Sequence, residues 1–545
     1  MSGPWPGLTL REERHYGDRI FPCHAERPAN LVALIAATVA GHEADEALVA
    51  GLRRLTYGEL DRLAGTVAGN LAAHGIKAGD RLALLLCNCP EFLIYAIAAL
   101  RLGAIVVPLG ARLKAPELAY ALEDCGAAAL VYESDYAGNL PDPAALPRLR
   151  LRILIDGEAP GAAPGSAFLA PAAHPSQPPH WANEEETAFI LYTSGTTGQP
   201  KGARLTHLGI IHSAMNFVAC LGLGASNGAS SGGGERAILT VPAAHVTGLV
   251  ALLFTMLRSG GCTIMMREFK ARDFLALAAA ERLSYTLMVP AQYALCLMQP
   301  DLAAYDLAAW RIGAFGGAPM PEATIAALAR AWPNLVLVNG YGATETTSPA
   351  ALMPRGLNTT HPDSVGQVVP GGTIRIVDDS GRDVAPGEAG EIWIKGAMVV
   401  PGYWRRPDAD RPDADLAEFS DGFWHSGDIG SLDASGFLRI LDRKKDMINR
   451  AGYKIYSAEV ENVLLHHPGI VEAAIVGSPD PVLGERVKAF IRPREGGLDA
   501  AAIREFCAAR LADYKVPELI VLVDAPLPRN ANGKLQKAAL RRRSD

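Results

Sequence analysis

The run Tyr192-Thr193-Ser194-Gly195-Thr196-Thr197-Gly198-Gln199-Pro200-Lys201-Gly202 gathers the groups that bind a polyanion. Gly195, Gly198 and Gly202 permit positive φ, so successive backbone N–H groups can turn to one side, and the hydroxyls of Ser194, Thr196 and Thr197 add donors. Lys201 closes the run with a full positive charge. The chemistry this suits is phosphate binding. The common Gly-x-x-x-x-Gly-Lys-Ser/Thr loop is excluded, because Pro200 stands where the second glycine is needed.

Further strings follow in order. Phe315-Gly316-Gly317-Ala318-Pro319 ends an apolar stretch, and its glycines admit a flat ring. In Asn339-Gly340-Tyr341-Gly342-Ala343-Thr344-Glu345, a tyrosine between glycines can lie against a base. The threonine hydroxyl can meet a phosphate and the carboxylate can hold Mg²⁺. Trp424-His425-Ser426-Gly427-Asp428 sets a carboxylate after a glycine turn, able to accept from two vicinal hydroxyls. Asp442-Arg443-Lys444-Lys445-Asp446 and the late Gly533-Lys534 add cations. Alone, each string has an ordinary reading: a Gly-Gly turn, a capped helix start with Glu on its dipole, a solvated charge cluster, an exposed tail lysine. Their succession along one chain favours a common site.

These strings resemble the signatures of the acyl-adenylate-forming superfamily, in its acyl-CoA synthetase branch of AMP-dependent synthetases and ligases. The resemblance implies an α/β fold. A large N-terminal domain, residues 1–443, would carry parallel-type sheets with helices and a small β subdomain, and 444–545 would form a small mobile α+β lid. It implies ATP, Mg²⁺ and coenzyme A, and a carboxylic acid, fatty or aryl, converted to acyl-AMP and then to acyl-CoA. Thr193, Ser194, Gly195, Thr196, Thr197, Gly198 and Lys201 would hold phosphates, and Gly316, Gly317 and Ala318 would border the adenine. Asn339, Tyr341 and Gly342 would bind the nucleotide, Thr344 would meet phosphate, and Glu345 would carry the metal. Asp428 would grip the ribose, with Arg443 beside it and Lys445 as the hinge pivot. Lys534 would reach the substrate carboxylate and α-phosphate during adenylation. His245, in Pro242-Ala-Ala-His245, matches the family's Pro-x-x-His beside the acyl pocket, although a satisfied core histidine reads equally well there. Gly452, in Arg450-Ala-Gly452-Tyr, would line the pantetheine tunnel. Ser426 departs from the family's usual threonine but keeps the hydroxyl.

Elementary electrostatics suits this set to its task. A carboxylate is a poor electrophile and repels the ATP that it must attack. A lysine about 4 Å from developing negative charge contributes roughly 4 kcal/mol at an effective dielectric near 20, about a thousandfold in rate if felt only in the transition state. No Ser-His-Asp set or Gly-x-Ser-x-Gly elbow suggests a side-chain nucleophile. Three rival readings share the motifs: an adenylation enzyme loading a separate carrier protein, a non-catalytic nucleotide-binding regulator, and a luciferase-like oxygenase.

The elements that must position these residues read as βαβ alternation. A helix pattern runs over 55–74, followed by a strand over 81–87, a helix over 91–102 and a strand over 104–108. A strand over 187–192 precedes the phosphate loop. A second series comprises strands 237–241, 263–266, 286–289 and 335–338, with a helix over 246–258. The apolar helix beside His245 predicts an apolar or aromatic acyl group. Short strands with Asp-Ser-Gly and Asp433-Ala-Ser-Gly turns predict hairpins from about 366. After 444 the pattern is mixed: helices 457–466 and 500–511, strands 471–476 and 488–491. The stretch 157–183 reads as a linker, and the Gly/Ser-rich 226–234 as a mobile insertion.

At 545 residues two or more domains are required. A net charge of −7 argues against a general nucleic-acid or anionic-membrane binder. The apolar stretch 92–109 is broken by Arg101, Gly103 and Pro108, which reads as core rather than a membrane span. Eight scattered cysteines, with Cys87 and Cys89 as the one close pair, lack zinc spacing and read as reduced thiols of a cytoplasmic protein. No signal peptide is read at the N-terminus. A monomer or homodimer is expected.

Overall fold

The computed structural model describes residue 5 and residues 8–171, 179–193, 200–224, 234–404, 418–451, 453–494, 498–529 and 535–543. The chain forms two compact units, one of 1–374 with 394–424, the other of 375–393 with 425–545.

The first unit carries two sets of strands. One runs in the order Lys201–Thr206, Thr187–Thr193, Ile105–Pro108, Arg81–Leu85, Ala129–Tyr132, Leu151–Leu154, Ala163–Pro164. All its neighbours are parallel except the first pair. The other has a parallel centre, Val336–Tyr341, Ile312–Gly316, Tyr285–Met288, Arg236–Leu239, Cys262–Met265 and Glu46–Ala50, with antiparallel additions at both ends. Parallel strands buried on both faces need continuous apolar runs, and Ile105–Pro108, Ala129–Tyr132 and Cys262–Met265 are buried at every position.

The helix read over 55–74 is Tyr57–Ala73. Thr56 Oγ1 accepts from the Glu59 N–H at 3.2 Å while Glu59 accepts from the Thr56 N–H at 2.9 Å, a reciprocal cap that fixes its start. Helix Pro90–Arg101 is buried at all but its Glu91 and Arg101 positions, as its apolar composition demands. No helix among the described residues is long and apolar enough to cross a membrane. Within the supposed linker 157–183, a short strand Ala163–Pro164 and helix Gly165–Leu169 pack, with Phe168 buried. The predicted insertion 226–234 lies outside the described residues except for Gly234.

In the second unit, apart from residues 373–374, 394–395 and 423–424, strands Thr373–Val377, Gly390–Lys395, Phe423–Leu432 and Phe437–Arg443 lie in that order, and Asp433 caps the hairpin turn by accepting from the Ser435 and Phe437 N–H groups. A further sheet of Tyr453–Ile455, Ile448–Arg450, Gly484–Pro493, Ile470–Asp480 and Leu519–Leu522 packs on helices Ser457–Leu465 and Ala500–Ala508. Ile448, Val460, Leu464, Ile475, Val487 and Ile503 form its core. The segment 442–446 lies inside this unit.

Candidate active site

Strand Thr187–Thr193 does not feed a helix. It turns back into Lys201–Thr206, with Thr193 opposite Lys201, and the helix begins only at His207, capped by Thr206 Oγ1 accepting from the Gly209 N–H at 3.1 Å. The phosphate-loop lysine therefore stands on the return strand of a hairpin. Ser194, Gly195, Thr196, Thr197 and Gly198 lie outside the described residues.

Thr193 and Lys201 meet the Glu345 motif. Thr193 Oγ1 donates to Glu345 Oε1 at 3.2 Å, and the Tyr403 hydroxyl lies 3.1 Å from the same oxygen. That hydroxyl is also 2.6 Å from Glu418 Oε2. Lys201 pairs with Glu418 and sits 4.9 Å from the Tyr403 ring centroid. A phenol has one proton, so Tyr403 donates to one carboxylate at a time. Burial pushes the Glu345 carboxyl above the ordinary range, against the hydrogen bonds from Tyr403 and Thr193. Among the described residues no Lys, Arg or His forms an ion pair with Glu345. A buried carboxylate flanked by hydroxyls fits a hard, oxygen-seeking cation such as Mg²⁺. Thr344 and Glu345 sit in a turn rather than a helix start, tied by the Ala343 N–H to Thr346 Oγ1 at 2.9 Å and the Val400 N–H to the Glu345 carbonyl at 2.9 Å.

The two glycine motifs lie side by side at the carboxyl ends of adjacent parallel strands, Phe315 opposite Asn339 and Gly316 opposite Gly340. A Cβ on Gly316 would stand 2.6 Å from the Gly340 carbonyl oxygen, so the strands require glycine there. Gly317, at φ +76°, and Ala318 are exposed and leave an open shelf beside the partly exposed Tyr341. Asn339 Nδ2 donates to the Ser364 carbonyl at 3.0 Å, and Gly342 is exposed.

His245 is half-buried in a turn, its N–H donating to the Pro242 carbonyl at 3.1 Å and its carbonyl accepting from the Leu249 N–H at 2.8 Å. The α-helix expected over 246–258 is corrected here. Thr247–Phe254 is a π-helix, and α-helix follows only at Thr255–Ser259. A Cβ on Gly248 would meet the Pro242 oxygen at 2.2 Å, so this turn presses on the helix start, and Thr255 Oγ1 donates back to the Val250 carbonyl at 2.9 Å.

In the second unit Asp428 and Arg443 are cross-strand partners and form an ion pair at 2.6 Å. Ser426 Oγ accepts from the Asp428 N–H at 3.0 Å, the service a threonine would also give. Lys445 is exposed, and its carbonyl accepts from Arg541 at 2.9 Å, while Arg541 also pairs with Asp446 at 2.8 Å. Asp442 accepts from the Ser457 backbone and hydroxyl, and Lys537 joins Ser457 Oγ at 2.6 Å to Glu461 at 2.7 Å. Gly452 and Lys534 lie outside the described residues.

Tyr403, Glu418 and Asn88 escaped the sequence reading. Asn88 Oδ1 accepts from the Ala243 N–H at 2.9 Å and its amide donates to the Leu239, Val241 and Met266 carbonyls, fixing the turn that bears His245. Only the polar aromatic in Gly402-Tyr403-Trp404 offered any signal of the first two.

Residues 35–404 match the model of the AMP-binding enzyme family, and 459–534 match the AMP-binding enzyme C-terminal domain. A feruloyl-CoA synthase of an Amycolatopsis species is 35% identical over 493 residues, covering 90% of this chain and 94% of the relative. The long-chain-fatty-acid–CoA ligase FadD13 of Mycobacterium tuberculosis is 34% identical over 494 residues, covering 90% and 93%. Among solved structures, o-succinylbenzoate CoA synthetase (MenE) of Bacillus subtilis with its acyl-adenylate intermediate superposes with a TM-score of 0.80 at 28% identity, covering 94% of this chain and 98% of that one. The same enzyme with ATP and magnesium ion gives 0.79 at 29% identity, covering 92% and 98%.

Proposed function

The chain belongs to the AMP-binding enzyme family and is an AMP-forming acyl-CoA ligase, and from that premise we propose how its residues divide the work. An oxygen of the acid's carboxylate attacks the α-phosphorus of ATP, the bond to pyrophosphate breaks, and acyl-AMP forms. The sulfur of CoA then attacks the acyl carbon, AMP leaves with the carboxylate oxygen, and the thiol proton goes to solvent. The observation that supports this assignment most is convergence. Thr193, Phe315 and Gly316, and Asn339 to Tyr341 lie at strand carboxyl ends of one unit, with Lys201 paired opposite Thr193 and Glu345 hydrogen-bonded to Thr193, although these residues are far apart in sequence.

In this reading Thr193, Lys201 and Thr344 hold the phosphates, and Gly317 and Ala318 with Tyr341 take the adenine on the open shelf. Asp428 accepts from the ribose hydroxyls while its ion pair with Arg443 keeps it aimed. Magnesium on Glu345 would neutralise phosphate charge as pyrophosphate departs; the MenE structure with ATP and magnesium ion supports that ion. Glu418 holds the Lys201 ammonium in place before ATP arrives. Lys534 serves adenylation, Gly452 lines the CoA channel, and Lys445 is the pivot between the two poses. The acid is apolar, fatty or aryl. The relatives named for feruloyl and long-chain acyl groups support that class, as does the buried apolar helix Thr247–Phe254 next to His245. Eight free thiols suit the cytoplasm. The protein acts as a monomer or homodimer.

The test is ATP-dependent release of pyrophosphate and AMP across aryl, short, medium and long-chain acids, with and without CoA. Turnover that needs CoA and an apolar acid supports the reading. Acyl-AMP passed only to a carrier protein, or sole use of a small dicarboxylate, would overturn it.

A further inference from the structure

Cys87 and Cys89 differ from the other six cysteines, which are all buried. They follow strand Arg81–Leu85 at the carboxyl edge of the parallel sheet, beside strand Ala129–Tyr132, whose end carries Glu133. Glu133 is 2% exposed. It accepts from the Cys87 N–H at 2.7 Å and from the Cys87 thiol at 3.3 Å. One ligand atom from each of Cys87, Cys89 and Glu133 lies within 4.8 Å of the others. We propose that these three residues form a binding site for a thiophilic divalent cation of the zinc class.

The donor set fits. Zinc–sulfur bonds of about 2.3 Å in a tetrahedron place two sulfurs about 3.8 Å apart, a spacing inside the 4.8 Å within which the three donor atoms already lie. Two thiolates and one carboxylate leave a fourth position for water. The dication replaces two thiol protons, and the net charge of the cluster does not change. Arg267 now covers the cluster: it pairs with Glu133, lies 2.8 Å from Cys87 Sγ, and reaches Asp135 at 2.7 Å. Its side chain is half exposed, and Asp135 keeps it paired when it withdraws, which opens a path from solvent. Asn88, between the two thiols, is fixed by four hydrogen bonds to residues 239–266, so the backbone bearing the donors is already ordered.

The test uses the full chain, reduced, titrated with Cd²⁺ alone and then with Zn²⁺ in competition. The expected result is one equivalent bound with thiolate-to-cadmium charge-transfer absorption, displaced by Zn²⁺. Cys87→Ser and Cys89→Ser should each weaken binding roughly tenfold or more, and Arg267→Gln should tighten it several-fold. Should a cysteine variant misfold, alkylation mapping of the unaltered protein decides instead, since the cation should protect Cys87 and Cys89 from iodoacetamide. Absence of the band, a band unchanged in the serine variants, or no protection would overturn the proposal.

Discussion

Tyr403→Phe removes one hydroxyl and leaves the ring, with its edge-on contact to Phe419 and its place under the Lys201 ammonium, intact. That hydroxyl serves Glu345 at 3.1 Å and Glu418 at 2.6 Å. Burial already lifts the Glu345 carboxyl, and the Tyr403 hydrogen bond works against that lift. A hydrogen bond to a charged group contributes about 1.5–3 kcal/mol, and one pKa unit corresponds to about 1.4 kcal/mol. Losing the bond should therefore raise the Glu345 pKa further. If the ionised carboxylate carries the metal, the acid limb of kcat/KM for ATP moves to higher pH. The alkaline side stays in place. The assay is pyrophosphate release at subsaturating ATP across pH, with circular dichroism to show that the variant is folded. An unmoved acid limb in a folded variant would refute the reasoning, because the phenolic proton would then belong to Glu418 alone.

Glu345→Gln should cut turnover roughly a hundredfold or more yet raise the ligand-free melting temperature at neutral pH. A carboxylate whose folded pKa lies above its unfolded value costs stability as pH rises through that interval; calorimetry at two pH values checks the sign. Lys534→Ala should slow acyl-AMP formation about a thousandfold and spare thioesterification of supplied acyl-AMP, and single-turnover assays of the two steps separate these outcomes. Gly248→Ala forces a Cβ against the Pro242 oxygen and should cost about 1–3 kcal/mol while shifting the His245 turn, measurable as a lower urea midpoint and a raised KM for the acid.

Much of this architecture is legible in the chain because it rests on short-range rules. The reciprocal cap at Thr56 and Glu59 and the all-apolar strand Ala129–Tyr132 announce themselves. Motif glycines such as Gly316 stand out as residue types, although the contact with Gly340 that excludes a side chain there appears only in the fold. What the sequence hid depends on how segments meet in the fold. Periodicity does not tell π from α at Thr247–Phe254, nor does it show the close approach of Gly248 to the Pro242 carbonyl. Nor does local pattern show that Lys201 returns on a strand, since the pairing with Thr193 spans the loop. Tyr403 and Glu418 become site residues only when residues 394–424 pack against the Glu345 turn. The pairing of Asp428 with Arg443 was half visible: both residues stand out in sequence, and only the hairpin register sets them opposite.

Activation of the acid as an acyl-adenylate before it meets CoA is best tested with an apolar acid whose carboxylate carries heavy oxygen. Turnover with ATP and CoA should place one labelled oxygen in the phosphate of AMP, because the carboxylate oxygen that attacks phosphorus stays there when sulfur takes the acyl group. Label found in inorganic phosphate or pyrophosphate, or absent from AMP, would contradict this order of steps.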